Sequence, residues 1–116
     1  MLNRNPEIKA LLESLETGMI TFIEPGETGY TKKDVSNCIT LLNSFLADLS
    51  QSENRDQGIT IVKNVVLKLN KLNTSCDEEL IETEEREQIA EIIIIAGHLK
   101  GYNTRDEDIT EEWREW

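Results

Sequence analysis

The chain has 116 residues and carries 12 Lys and Arg against 23 Asp and Glu, a net charge of −11. That length supports one domain rather than two. The acid excess argues against a nucleic-acid-binding protein or one that sits on an anionic membrane surface, since both need clustered Lys and Arg. No apolar run approaches the ~20 residues of a membrane span, and the first residues lack the apolar stretch of a signal peptide. Cys38 and Cys76, the only cysteines, do not make a disulfide framework, so a cytoplasmic, reducing setting is expected.

Taken in order, the first element opens at Asn5-Pro6, a good N-cap followed by a residue suited to the first helical position. Ile8, Leu12, Leu15, Met19 and Phe22 recur at spacings of three and four, which predicts a helix over 6–24. Gly18 is costly in a helix interior, and residues 19–23 alone would also suit a short strand, but the stripe continues in phase across the glycine. Residues 25–29 (PGETG) read as a loop. Thr31 and Asp34 resemble a capping box. Behind them Val35, Cys38, Ile39, Leu42, Phe45, Leu46 and Leu49 predict a helix over 32–50. After a polar stretch, Ile59, Val62, Val66 and Leu69, with Val65 and Leu72 beside them, predict a third helix over 56–73. The β-branched residues there favour a strand by propensity, but period and length favour a helix.

Residues 73–82 form a connection in which Leu80 and Ile81 act as a local plug. Thr83 is the expected cap of a fourth helix, 84–100, with Glu84, Glu85 and Glu87 in the first turn, where the helix dipole favours negative charge. Ile89, Ile92, Ile93, Ala96 and Leu99 form its core stripe. Ile94 and Ile95 widen that stripe, as if the helix ended surrounded by the other three. Gly101 is the expected stop, and Thr110 the expected cap of a short helical turn over 111–116. The predicted fold is all-α: a single domain, a compact antiparallel bundle of about four main helices plus a short C-terminal helical turn.

Catalytic and metal chemistry find no foothold in the sequence. A di-iron bundle needs Glu-x-x-His pairs, but the residue three before His98 is Ile95. Cys38 and Cys76 stand apart from any ligand spacing, and Cys38 falls on an apolar stripe. The run Asp106-x-Asp108-x-Thr110 echoes a calcium loop, yet its sixth position is Glu111 rather than glycine. No Ser or Cys lies in a glycine elbow, and no Gly-rich loop suits a phosphate. The expectation is a protein without cofactor or metal that is not an enzyme.

The charge distribution is the informative feature. Residues 1–76 net −1, whereas residues 77–116 hold 14 acids against Arg86, Lys100, Arg105 and Arg114 and net −10. Glu78, Glu79, Glu82, Glu84, Glu85, Glu87 and Glu91 make one acidic group. Asp106, Glu107, Asp108, Glu111, Glu112 and Glu115 make another, with Tyr102, Trp113 and Trp116 in or beside it. Acids speed association with a basic partner and buried aromatics anchor it. The expected partner-binding set is therefore Glu82, Glu84, Glu85, Tyr102, Asp106, Glu107, Asp108, Glu111, Glu112, Trp113 and Trp116. The two tryptophans, three residues apart, share a face in a helical turn. They are expected to dock on the chain's own core, the alternative being that they are kept for a partner.

With its length, acid balance and helical pattern, and with the stretches LIETEEREQI (80–89) and DITEEWREW (108–116), the chain resembles the small bacterial immunity proteins of contact-dependent growth inhibition and related toxin systems. That resemblance implies a cytosolic protein that binds and neutralises a basic toxin domain, often a nuclease. The alternative is a regulatory or adaptor helical module without a toxin partner, which calls for a large exposed apolar patch away from the acids.

Overall fold

The computed structural model describes residues 2–23 and 29–116. Among the described residues four α-helices carry the fold: α1 (Pro6–Ile23), α2 (Lys32–Gln51), α3 (Arg55–Ser75) and α4 (Thr83–Leu99), preceded by a 3₁₀ turn at Leu2–Arg4. The all-α expectation holds. The expected loop at 25–28, and Glu24 at the end of the first predicted helix, lie outside the described residues.

Local chemistry accounts for each helix start. Asn5 Oδ1 accepts hydrogen bonds from the backbone of Glu7 (3.0 Å) and Ile8 (3.1 Å), and α1 runs through Gly18 to Ile23 without becoming a strand. The Thr31–Asp34 box forms in both directions: Asp34 N–H donates to Thr31 Oγ1, and Thr31 N–H donates to Asp34 Oδ2 at 2.8 Å. Asn54, not anticipated as a cap, accepts from Gln57 N–H and starts α3 one residue early. Thr83 is the first residue of α4 rather than its cap. Glu82 holds that position, and its N–H donates to the Glu85 carboxylate at 3.1 Å. A carboxylate one turn in reaches back to the cap N–H, which a Thr at the cap could not do for itself.

Hydrogen bonds fix the up–down order. At one end the starts of α1 and α3 meet the ends of α2 and α4: Leu2 N–H donates to Ser50 Oγ, Lys100 Nζ to the Ser50 and Ser52 carbonyls, and Arg55 Nε to the Tyr102 carbonyl. At the other end Tyr30 Oη, just before α2, donates to the Met19 carbonyl at 3.0 Å near the end of α1. There too Ile81 N–H donates to Asn73 Oδ1 at 2.8 Å. Consecutive helices are thus antiparallel. The close helix pairs are α2 with α3, α1 with α4, and α1 with α2.

The core is the set of stripes read from the sequence except at Phe22, which continues the α1 stripe but is 53% exposed in the last turn of that helix. Ile8, Leu15, Met19, Leu42, Leu46, Leu49, Leu69, Ile89, Ile92, Ile93 and Ile95 are fully buried, and the Leu80–Ile81 plug is buried as expected. Two expectations about α4 need correction. Leu99 is 49% exposed, because the helix runs past the end of the apolar layer before Gly101 (φ +78°) ends it. And α4 is not enclosed by three helices. The close pairs do not include α3 with α4, and residues 102–116 fill the space between them.

Candidate functional site

Residues 102–116 are held from both sides. On the α3 side, Asn70 is 8% exposed and grips the backbone: its Nδ2 donates to the Trp113 carbonyl at 2.7 Å, and its Oδ1 accepts from Glu115 N–H at 3.0 Å. Tyr102 lies against Gly58, where a Cβ would overlap its ring, and its hydroxyl is 2.8 Å from Ser52 Oγ. On the α4 side, Asn103 Nδ2 donates to the Ile94 carbonyl at 3.2 Å, and its Oδ1 presses on Gly97, leaving no room for a Cβ. His98 is exposed, with Nδ1 3.1 Å from the Asn103 carbonyl. Ile109, Trp113 and Trp116 are half-buried against the core, so both tryptophans dock internally. The Trp116 indole N–H is buried without a partner among the described residues.

The turn inside this segment is organised by Asp108 rather than by Thr110. The Asp108 carboxylate accepts from Thr110 N–H at 3.0 Å and from its hydroxyl at 2.5 Å, and pairs with Arg114 Nη1 at 2.7 Å. Arg114 N–H closes the turn on the Thr110 carbonyl at 3.0 Å. Thr110 is fully buried, so its side chain serves packing and the Asp108 bond. Partial burial raises the Asp108 pKa, but the Thr110 hydroxyl and amide and the Arg114 guanidinium outweigh it and hold the carboxyl below the ordinary value.

The eleven residues proposed from the sequence therefore divide by what they do. Tyr102, Asp108, Trp113 and Trp116 hold the segment in place. Glu85 is 7% exposed and is spent on the start of α4, and exposed Glu82 supplies the cap backbone there. Glu107, also exposed, accepts from Thr104 N–H at 2.9 Å. Glu84, Asp106, Glu111 and Glu112 are exposed and make no ion pair among the described residues.

Three acids outside that set belong to the same surface. Glu84, Glu87 and Glu91 follow one face of α4 and line a groove with Gln88 and with Leu11 of α1. Glu7 of α1 joins them through Arg105, whose Nη2 lies 2.9 Å from Glu7 Oε2 and 3.6 Å from Glu91 Oε1. The spacing of Glu84, Glu87 and Glu91 was readable as one helical face. The approach of Glu7 was not, since it depends on α1 packing beside α4.

The thiols are sheltered from reaction. Burial, with a smaller contribution from Cys76, pushes the Cys38 thiol up to about 12, which leaves no thiolate for nucleophilic or metal chemistry near neutrality. Burial also raises Cys76. Among the described residues no three His, Cys, Asp or Glu side chains gather as a metal site, and no helix is long and apolar enough to cross a membrane. No protein-family model, curated protein or solved structure matches this chain.

Proposed function

We propose that this chain is an acidic cytosolic inhibitor of the immunity type, which binds a basic toxin domain, such as a nuclease, and neutralises it without catalysis. The observation that supports this reading best is the state of the acids. Of the 14 in residues 77–116, only Glu91 and Asp108 reach a basic side chain among the described residues. All of the others but Glu85 are exposed, and like charges without counter-ions repel, which costs stability until a partner of opposite charge meets them. Glu84, Glu85 and Glu87 stand on α4, and Asp106, Glu107, Glu111, Glu112 and Glu115 on a segment fixed by Asn70, Tyr102 and Asn103, so binding a partner there would require little ordering. A nuclease domain presents the matching surface, a positive cleft shaped for phosphates.

The adaptor reading draws less support. The large hydrophobics exposed among the described residues are Phe22, Leu67 and Leu99, on three different helices and not one apolar patch.

The test is co-expression with the products of the neighbouring genes and, for a basic toxin domain captured in this way, stopped-flow association between about 0.01 M and 1 M salt, over which the screening length falls from about 30 Å to about 3 Å. The expected association rate falls at least about tenfold over that range. It falls similarly in Glu111→Lys/Glu112→Lys, with helicity unchanged. A rate indifferent to salt and to these reversals, or no complex with any basic toxin domain, overturns the proposal.

A further inference from the structure

A second surface lies away from the acids, in the outer groove between α2 and α3. A cavity of about 80 Å³ there is lined by Leu41, Phe45, Ile61 and Val65 together with the polar Ser44 and Asn64, and is flanked by Asp48 and Lys68. Neither charge makes an ion pair among the described residues. Helix geometry explains why. Asp48 sits three residues before the end of α2, and Lys68 thirteen beyond the start of α3. At about 1.5 Å rise per residue in antiparallel neighbours, they stand roughly 15 Å apart along the groove. The groove is thus mixed in its middle, where Ser44 and Asn64 stand beside the apolar side chains, negative at one end and positive at the other.

That pattern is complementary to itself. We propose that the α2–α3 groove is where two copies of this chain meet about a two-fold axis, each Asp48 facing the other copy's Lys68 across the groove. A two-fold contact uses the same patch on both subunits, so a patch with opposite charges at its two ends satisfies itself when the ends are exchanged. A free amino acid, the other ligand with both charges, is too short to reach both ends. The position suits self-association in a chain of net −11. Residues 32–75 hold Lys32, Lys33, Arg55, Lys63, Lys68 and Lys71 against Asp34, Asp48, Glu53 and Asp56, a net of +2. Asn70, which grips the acidic C-terminal segment, lies nine residues from Ile61, about 180° round α3. Copies joined at the groove therefore keep their acidic segments on far sides, where repulsion between them is screened.

Sedimentation and light scattering across concentrations up to about 1 mM test this. The expected result is a concentration-dependent dimer. Asp48→Lys and Lys68→Asp, both exposed positions, each weaken it at least about tenfold while leaving helicity intact. Mixing the two single variants restores association as a heterodimer, since both cross-pairs are then complementary. The double swap Asp48→Lys/Lys68→Asp restores the homodimer. A monomer throughout, which would leave the groove to a partner of another sequence or a small ligand, overturns the proposal. So does a dimer indifferent to both reversals, or a mixture that does not recover.

Discussion

Asn70 offers the sharpest test of how the C-terminal segment is held. Its amide makes two backbone hydrogen bonds, to the Trp113 carbonyl and from Glu115 N–H, at a position 8% exposed. Asn70→Ala removes both and leaves two partly buried backbone groups unpaired, so the expected loss is about 2–3 kcal/mol. With a urea slope of roughly 1.5 kcal/mol/M, the midpoint falls by about 1–2 M. Asn70→Asp goes further near neutrality, because a carboxylate oxygen replaces the donor facing the Trp113 carbonyl and the nearby Glu115 carboxylate (3.4 Å in the native chain). That environment raises the new carboxyl's pKa in the folded state, so stability is recovered as pH falls and the group regains a proton to donate. The assay is built into the chain. Trp113 and Trp116 are its only tryptophans, so their emission reports the segment while far-ultraviolet dichroism reports the helices. In Asn70→Ala the emission shifts red at lower urea than helicity is lost. Native emission together with a loss below about 0.5 kcal/mol would refute the clamp.

Ile93→Ala, at a fully buried position in the middle of α4, is expected to cost about 2–5 kcal/mol in chemical denaturation. Gly97→Ala destabilises by about 1–3 kcal/mol through overlap with Asn103. Gly18→Ala, with nothing within 4 Å of the new methyl, gains about 0.5–1 kcal/mol from helix propensity alone. Asp108 has a lowered folded pKa, so its contribution is present above the ordinary carboxylate value and lost as pH falls through the folded one. Asp108→Ala, measured against the native chain, therefore costs about 1–2 kcal/mol at pH 7, and this cost shrinks below about pH 4.

Apolar periodicity carried the helices. Stripes such as Val35–Cys38–Leu42–Leu46–Leu49 mark one buried face, and Asn5 and Thr31 announce helix starts through chemistry confined to a single turn. Partners distant in sequence were beyond that reach. Tyr102 meets Ser52 and Trp113 meets Asn70 across 50 and 43 residues, and no local pattern encodes which helices leave a gap for the segment to fill. One signal was present and went unread: Asn70 and Asn73 fall four residues after Val66 and Leu69, in phase with the core stripe. A polar side chain in a core position needs a partner. These two amides find theirs in the backbone of the C-terminal segment and of the α3–α4 connection. Leu99 shows the opposite error, an apolar residue in phase with the stripe but beyond the layer it would join.

The chemistry of the anchors bears on what the segment can present. Apart from the Asp108–Arg114 turn, the Arg105 contacts and the Arg55 bond to the Tyr102 carbonyl, residues 102–116 are fastened largely by neutral groups: the amides of Asn70 and Asn103, the Tyr102 and Ser52 hydroxyls, and the apolar bodies of Ile109, Trp113 and Trp116. Neutral hydrogen bonds and apolar burial depend far less on salt than ion pairs do. Had ion pairs been the fasteners, each carboxylate would have needed a cation of this chain, and the field that attracts a basic partner would have been neutralised from within. Holding the segment by its inner face leaves Asp106, Glu111 and Glu112 charged and exposed on the outer one. Raised salt should then weaken long-range attraction while leaving the surface in place. Tryptophan emission that stays native across the salt range in which association slows is the signature of this separation. A red shift in step with the slowing would mean that the acids hold the segment rather than adorn it.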